Sequence, residues 1–231
     1  MKLGIIGAMQ VEVEILVAKL EDKVASDYAG STFYAGKLGG LDVVVVRCGI
    51  GKVNAALCTQ IMCSVFGVTH LINTGVAGSL APELDIGDIL VSLDAMHHDF
   101  DCGPVGYPAG QIPGLDVLAF PADGQLVQCA FAAAEQVNPG HTKLGRVASG
   151  DQFIAGKEIK EKIIHITGAK CTEMEGAAIA QVAYRNGVPF AILRAISDKA
   201  DDSAEMDYPT FEVIAANRCA EVVMAFAAML K

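Results

Sequence analysis

The sequence predicts an α/β fold: a single domain with a twisted, mixed, largely parallel central sheet flanked by helices. Short buried-looking runs, among them Leu3–Ile6, His70–Thr74 and Val188–Ile196, alternate with longer segments of helical character, the order that builds a parallel sheet covered on both faces. With 52% hydrophobic residues and only 19% charged, the chain can bury a substantial core. No linker, repeat or low-complexity segment divides it, so residues 1–231 are expected to form one domain.

The totals also exclude function classes. A net charge of −10 without any basic stripe argues against a nucleic-acid partner, because phosphate binding needs clustered Lys and Arg. The first apolar run is too short for a signal peptide, and no stretch of about 18 apolar residues is present, so no membrane partner is expected. The seven cysteines form no C-x-x-C pair and sit mostly among aliphatic residues, which points to buried thiols in a reducing compartment, the cytoplasm.

Taken in order, Leu3–Ile6 reads as a buried strand entering a tight turn at Gly7-Ala8-Met9, and Val11–Leu16 opens a helix. Glu12 falls in the first turn of that helix, just past the strand's carboxyl end. Two readings stand there: a carboxylate complementing the helix dipole, or a residue of a ligand crevice. Thr32–Lys37 and Leu41–Arg47, joined at Gly39-Gly40, read as a β-hairpin. Gly49-Ile50-Gly51-Lys52 leads into an apolar helix ending near Phe66; it lacks the first glycine and the Ser or Thr of a phosphate loop. His70–Thr74 is the next strand, followed by a turn of small residues, Gly75 to Gly78.

Gly87–Ser92 starts a strand running toward His97-His98-Asp99. Adjacent histidines on a strand face opposite sides, so no metal site is read there. Phe100–Pro121 is long and irregular, in the manner of a lid or an interface arm. A helix over residues 122–137, a strand over Leu144–Ser149, a helix over Lys157–His165, a short strand over Ala169–Thr172, the strand Val188–Ile196 and a last helix from Pro209 to Leu230 complete the chain.

Chemistry-bearing residues collect at the ends of these strands. Glu12, the turns at Ile50 and Gly78, Phe153, Glu173 with Glu175, and Ser197 with Asp198 converge on one edge if the sheet is largely parallel. Glu173-Met174-Glu175 opens an apolar helix, where acids also complement the helix dipole. Several carboxylates, one arginine and an aromatic, without a Cys-His pair or a metal cluster, suit acid-base cleavage of a glycosidic bond: one carboxyl protonates the leaving group, another activates water, a third bonds sugar hydroxyls.

Six co-ordered motifs carry a resemblance over nearly the whole chain: Gly4-Ile5-Ile6-Gly7-Ala8-Met9 with Glu12, Gly49-Ile50-Gly51-Lys52-Val53, Asn73-Thr74-Gly75-Val76-Ala77-Gly78, Ser149-Gly150-Asp151-Gln152-Phe153-Ile154, Glu173-Met174-Glu175-Gly176-Ala177-Ala178, and Arg194-Ala195-Ile196-Ser197-Asp198. The chain resembles the bacterial 5'-methylthioadenosine/S-adenosylhomocysteine nucleosidases of the purine nucleoside phosphorylase superfamily. The resemblance implies a homodimer without cofactor or metal, acting on a small nucleoside. It implies that Asp198 protonates adenine N7 and is held by Ser197, that Glu12 is the base for water with help from Arg194, and that Glu175 binds the ribose hydroxyls beside Met174. Phe153 would stack on adenine, the Ile154 backbone would read its edge, and Met9, Ile50 and Tyr208 would form the apolar wall. Glu173 is placed with the substrate-binding residues, and Gly78 would allow close approach.

Asp198 is expected to hold its proton near neutrality while Glu12 stays ionised. Residues 100–113, with Val105, Tyr107 and Pro113, are expected to reach the partner's site. Two positions depart from the pattern: Val76 stands where some members have a hydroxyl, and Val105 where others have an aromatic. An aminodeoxyfutalosine hydrolase shares most of these motifs. A purine nucleoside phosphorylase shares the fold but needs cations for phosphate.

Overall fold

The chain runs β1 (Lys2–Gly7), α1 (Gln10–Ala18), β2 (Glu21–Tyr28), β3 (Ser31–Leu38), β4 (Leu41–Arg47), α2 (Lys52–Ser64), β5 (His70–Ser79), β6 (Ile89–His97), β7 (Phe120–Pro121), α3 (Gly124–Val137), β8 (Thr142–Ser149), α4 (Lys157–Thr167), β9 (Cys171–Glu173), α5 (Gly176–Asn186), β10 (Phe190–Asp198) and α6 (Ala204–Met229), in a computed structural model that describes residues 1–230. The strands form one mixed sheet. Its centre is β4, β1, β5 and β10, side by side and parallel. On one flank β3 and β2 add antiparallel. On the other, β6 runs antiparallel to β10, β8 pairs parallel with β6, and β9 bridges β8 to the end of β5. The strands β5, β10, β6, β8 and β9 therefore close on themselves.

Burial on both faces explains the nearly unbroken apolar runs of the central strands. Leu3 and Ile5 of β1, with Val43 and Val45 of β4, pack against α1, α3 and α6. Their neighbours Ile6, Val44 and Val46 face the opposite way, toward α2 and α5. This alternation of period two lets one strand serve two cores. Asp123 starts α3 by accepting hydrogen bonds from the N–H groups of Gln125 and Leu126 at 3.0 and 2.9 Å. No helix among the described residues is long and apolar enough to cross a membrane.

Three elements differ from the sequence expectation. β2 was not anticipated: it is an edge strand exposed at every residue but Ser26, so no apolar alternation announces it. Gly75–Gly78 is not a turn but the continuation of β5, because β10 pairs with it from Gly75↔Arg194 to Gly78↔Asp198 and supplies its backbone partners. The last helix begins at Ala204, ahead of the expected Pro209, and tolerates a proline in its second turn at the loss of one intrahelical hydrogen bond.

Candidate active site

The carboxyl ends of β1, β4, β5, β8, β9 and β10 surround a cavity of about 350 Å³. Met9 and Glu12 follow β1, Ile50 follows β4, and Gly78 lies near the end of β5. Phe153 and Ile154 follow β8, Glu173, Met174 and Glu175 span the β9–α5 junction, and Ser197 and Asp198 end β10. Tyr208 reaches the cavity from α6. Seven separate stretches of the chain thus contribute to one wall.

Glu12 sits at the third position of α1 and turns back to accept the N–H groups of Ala8 and Met9 at 2.6 and 2.9 Å. This is the side-chain half of a capping arrangement. Its second oxygen accepts the Val76 N–H at 3.1 Å, so Val76 serves the site through its backbone. The helix-start and site readings are both true of this residue. Burial pushes the Glu12 carboxyl above the usual carboxylate range, outweighing the attraction of Arg194 and the three backbone donors. Desolvation thus makes Glu12 a stronger base than an exposed glutamate.

Asp198 accepts the Ser197 hydroxyl and the Ala200 N–H, both at 2.8 Å. Burial pushes its carboxyl up against the lowering effect of those two bonds, and Asp207 and Asp201 push in the same direction as burial. Gly78 pairs directly with Asp198, and a Cβ there would stand 2.7 Å from its Oδ1. Only a glycine leaves that carboxyl its place. Gly75 is bare for the same reason, since a side chain would overlap Glu12 and Arg194.

Glu175 accepts the Gly51 N–H at 2.8 Å, and its other oxygen lies 3.7 Å from Arg194. Burial, then the neighbouring charge of Glu173, raise its carboxyl to about 7. The aromatic wall is made by Phe153 and Tyr208, edge to face at 5.3 Å and 77°. The Tyr208 hydroxyl donates to the Met9 sulfur at 3.2 Å. Phe153 is half exposed, its ring free to take a flat partner. The walls are tied together outside the cavity: Lys52 Nζ bonds Asp99 at 2.6 Å, and the Lys52 N–H bonds Asp151 at 2.8 Å.

Arg194 is brought to the carboxylates but not to the cavity. It is fully buried behind them, with Nη1 4.0 Å from Glu12 and Nη2 bonded to Glu173 and Asn73. Val105, Tyr107 and Pro113 do not line this cavity; they lie on the segment between β6 and β7, with Val105 and Tyr107 exposed. Sequence reasoning gave no role to Gln152 and Thr172, which line the cavity, or to Asn73 and Ser149, which hold its charged residues from behind. Asn73 carried a signal, a polar side chain within a buried strand. Among the described residues no group of three or more His, Cys, Asp and Glu side chains is arranged to hold a metal ion.

Comparison with known proteins agrees with this geometry. The phosphorylase superfamily model matches residues 2–228. A 5'-methylthioadenosine/S-adenosylhomocysteine nucleosidase of an Exiguobacterium species is 40% identical over 97% of each chain. The crystal structure of such a nucleosidase from Colwellia psychrerythraea, in complex with adenine, superposes with a TM-score of 0.96 at 39% identity, covering 100% of this chain and 96% of the other. The futalosine hydrolase of Helicobacter pylori superposes with a TM-score of 0.94 at 35% identity, covering 99% and 97%. With an adenine-complexed relative sharing its fold throughout and carboxylates converging where its strands end, the chain belongs to the 5'-methylthioadenosine/S-adenosylhomocysteine nucleosidase family of the phosphorylase superfamily.

Proposed function

We propose that the chain hydrolyses the N-glycosidic bond of 5'-methylthioadenosine and S-adenosylhomocysteine, releasing adenine and the thioribose product. The observation that carries this reading is the make-up of the cavity wall: Glu12, Glu173, Glu175 and Asp198 border it, and neither Lys nor Arg does. A phosphorolytic enzyme needs cations facing its phosphate, and here the one guanidinium of the cluster is spent behind the carboxylates. Water is the nucleophile that such a wall suits.

In the mechanism this supports, Asp198, whose proton affinity burial raises, donates a proton to purine N7 while Ser197 fixes its orientation. As the C1'–N9 bond breaks, positive charge grows on the ribosyl ring. Glu175, with unfilled acceptor sites toward the cavity, takes the ribose hydroxyls. Glu12 removes a proton from the water whose oxygen bonds C1', and its raised proton affinity suits that task. Arg194 is a positioning residue that orients the glutamates from behind. Phe153 stacks on the base, the Ile154 backbone meets the base edge, and Met174 lies against the sugar. Met9, Ile50 and Tyr208 form the remaining apolar wall.

We further read the chain as a cytoplasmic homodimer in which Val105, Tyr107 and Pro113 of residues 100–113 complete the partner's site. The exposure of Val105 and Tyr107 supports that arm, and seven unpaired cysteines suit a reducing compartment. Likeness to a futalosine hydrolase supports a second reading, cleavage of aminodeoxyfutalosine. Adenine release measured from the three nucleosides, with and without phosphate, tests all of this. Phosphate-independent release from methylthioadenosine and adenosylhomocysteine is expected. Release only from aminodeoxyfutalosine, or only with phosphate, would overturn it.

A further inference from the structure

Glu173 borders the cavity, yet its carboxylate has nothing left to offer a ligand. One oxygen accepts the Ser149 hydroxyl and the Gly176 N–H at 3.0 Å; the other accepts Arg194, the Glu175 N–H at 3.1 Å and the Gly176 N–H at 2.8 Å. A carboxylate has about four lone-pair sites, and these donors fill them. Glu175 differs: one oxygen accepts only Gly51, and the other has no donor nearer than Arg194 at 3.7 Å. Two glutamates two residues apart therefore divide into one saturated and one open.

We propose that Glu173 is a positioning residue and not a substrate ligand: its carboxylate fixes Arg194 and the start of α5, and through them holds Glu175 toward the cavity. The proposal rests on the reading that Glu175 takes the ribose hydroxyls. Two anchor lines converge on Glu173. Ser149, at the end of β8, donates to Glu173 and accepts the Ala177 N–H at 2.7 Å, so three successive N–H groups, those of Glu175, Gly176 and Ala177, are held by the Glu173–Ser149 pair. From β5, Asn73 accepts from Arg194 and donates to the Ile6 carbonyl at 2.9 Å, which ties the guanidinium to the sheet. Gly176 permits the close approach, since a Cβ there would stand 3.1 and 3.2 Å from the two Glu173 oxygens.

The charges around Glu175 come from every element packed on it: Glu173 from β9, Arg194 from β10 and Glu12 from α1. The thiols of Cys48 and Cys171 stay neutral because burial pushes both up. Removing the charge of Glu173 deletes a repulsion on Glu175 and leaves Arg194 to its remaining carboxylates. Both changes make Glu175 give up its proton at lower pH.

Glu173→Gln keeps the volume and removes the charge. Its kcat/KM for methylthioadenosine is expected to fall about 100-fold, the scale of a displaced catalytic constellation. The acidic limb of its pH profile should move to lower pH, and its affinity for free adenine, which involves the base end alone, should stay within about threefold of wild type. Glu173→Asp, which restores the charge on a shorter stem, should recover at least about tenfold of the loss. Ser149→Ala, a smaller excision, should lower kcat/KM about tenfold and leave both the acidic limb and adenine affinity in place, so the proposal stays testable if the charge variant does not fold. Unchanged kcat/KM and an unmoved profile in Glu173→Gln would overturn the proposal. So would a loss of adenine affinity in step with activity. Wild-type protein that releases no adenine would overturn the functional reading itself, and the proposal with it.

Discussion

Replacing Glu175 by Gln removes a charge that the folded protein holds at a cost, and the cost depends on pH in a fixed direction. Burial and Glu173 raise this carboxyl from the ordinary 4.5 to about 7, whereas in the unfolded chain it returns to 4.5. Between those values the folded protein binds more protons than the unfolded one, so the stability contributed by this group is fully present below 4.5 and is lost as pH rises toward about 7. The full difference corresponds to roughly 3 kcal/mol, a ceiling because Glu12 and Arg194 respond to the same proton. The variant does not titrate, and its side-chain carbonyl can still accept the Gly51 N–H. Its melting temperature should therefore match wild type at about pH 4 and exceed it at about pH 8 by up to roughly 6–12 °C, while turnover falls. Thermal unfolding at fixed protein concentration across that range is the assay, since association also shifts the midpoint. A stability difference that is constant with pH, or that favours wild type above neutrality, would refute the reasoning.

Asp198→Asn should lower kcat by about 10²–10⁴-fold, the range of a lost general acid, with adenine binding by calorimetry largely retained; near-normal turnover would remove Asp198 from the mechanism. Gly78→Ala places a Cβ 2.7 Å from Asp198 Oδ1 and 2.9 Å from the Ala200 Cβ. Displacing the acid in this way should cost about 100-fold in kcat, checked by steady-state kinetics beside a melting curve that shows the fold intact. Phe153→Ala removes a half-exposed ring whose stacking is worth about 0.5–1.5 kcal/mol, so adenine should bind up to about tenfold more weakly with little change in stability. An unaltered dissociation constant would mean that the ring does not stack on the base.

The parts of the fold that were legible in the sequence are those where burial on two faces leaves no alternative. Leu3–Ile6 and Val43–Val46 are buried throughout, and their runs announce a parallel sheet without further help. β2 illustrates the opposite case: its backbone is satisfied by pairing with β3 while its side chains face water, so nothing in Glu21–Tyr28 marks it. The stretch Gly75–Gly78 misleads for a third reason. Its glycines look like a turn, but their smallness is demanded from outside, by Glu12 and Arg194 crowding Gly75 and by Asp198 crowding Gly78. A glycine needed for a long-range approach has the same local signature as one needed for a turn.

The site was legible to the extent that its residues stand at strand ends, and obscure where one polar group serves another. Glu12, Glu175 and Asp198 each border the cavity: the parallel strands β1, β5 and β10 bring positions 12 and 198 together, and β9, paired antiparallel with the end of β5, brings position 175. In Glu173-Met174-Glu175 the family resemblance gave the ribose to Glu175, but local pattern alone does not separate the two acids, because their difference depends on donors from residues 149 and 194. The ambiguity between helix-start carboxylate and site carboxylate also dissolves in the structure. Glu12 caps α1 with one oxygen and accepts the β5 backbone with the other, so the helix start is what aims it. Glu173 holds the start of α5 and thereby sets Glu175. In this architecture the strand end delivers the residue and the helix N-terminus orients it. A carboxylate at such a junction is therefore both structural and chemical, and only its count of filled acceptor sites tells which duty it has left to perform.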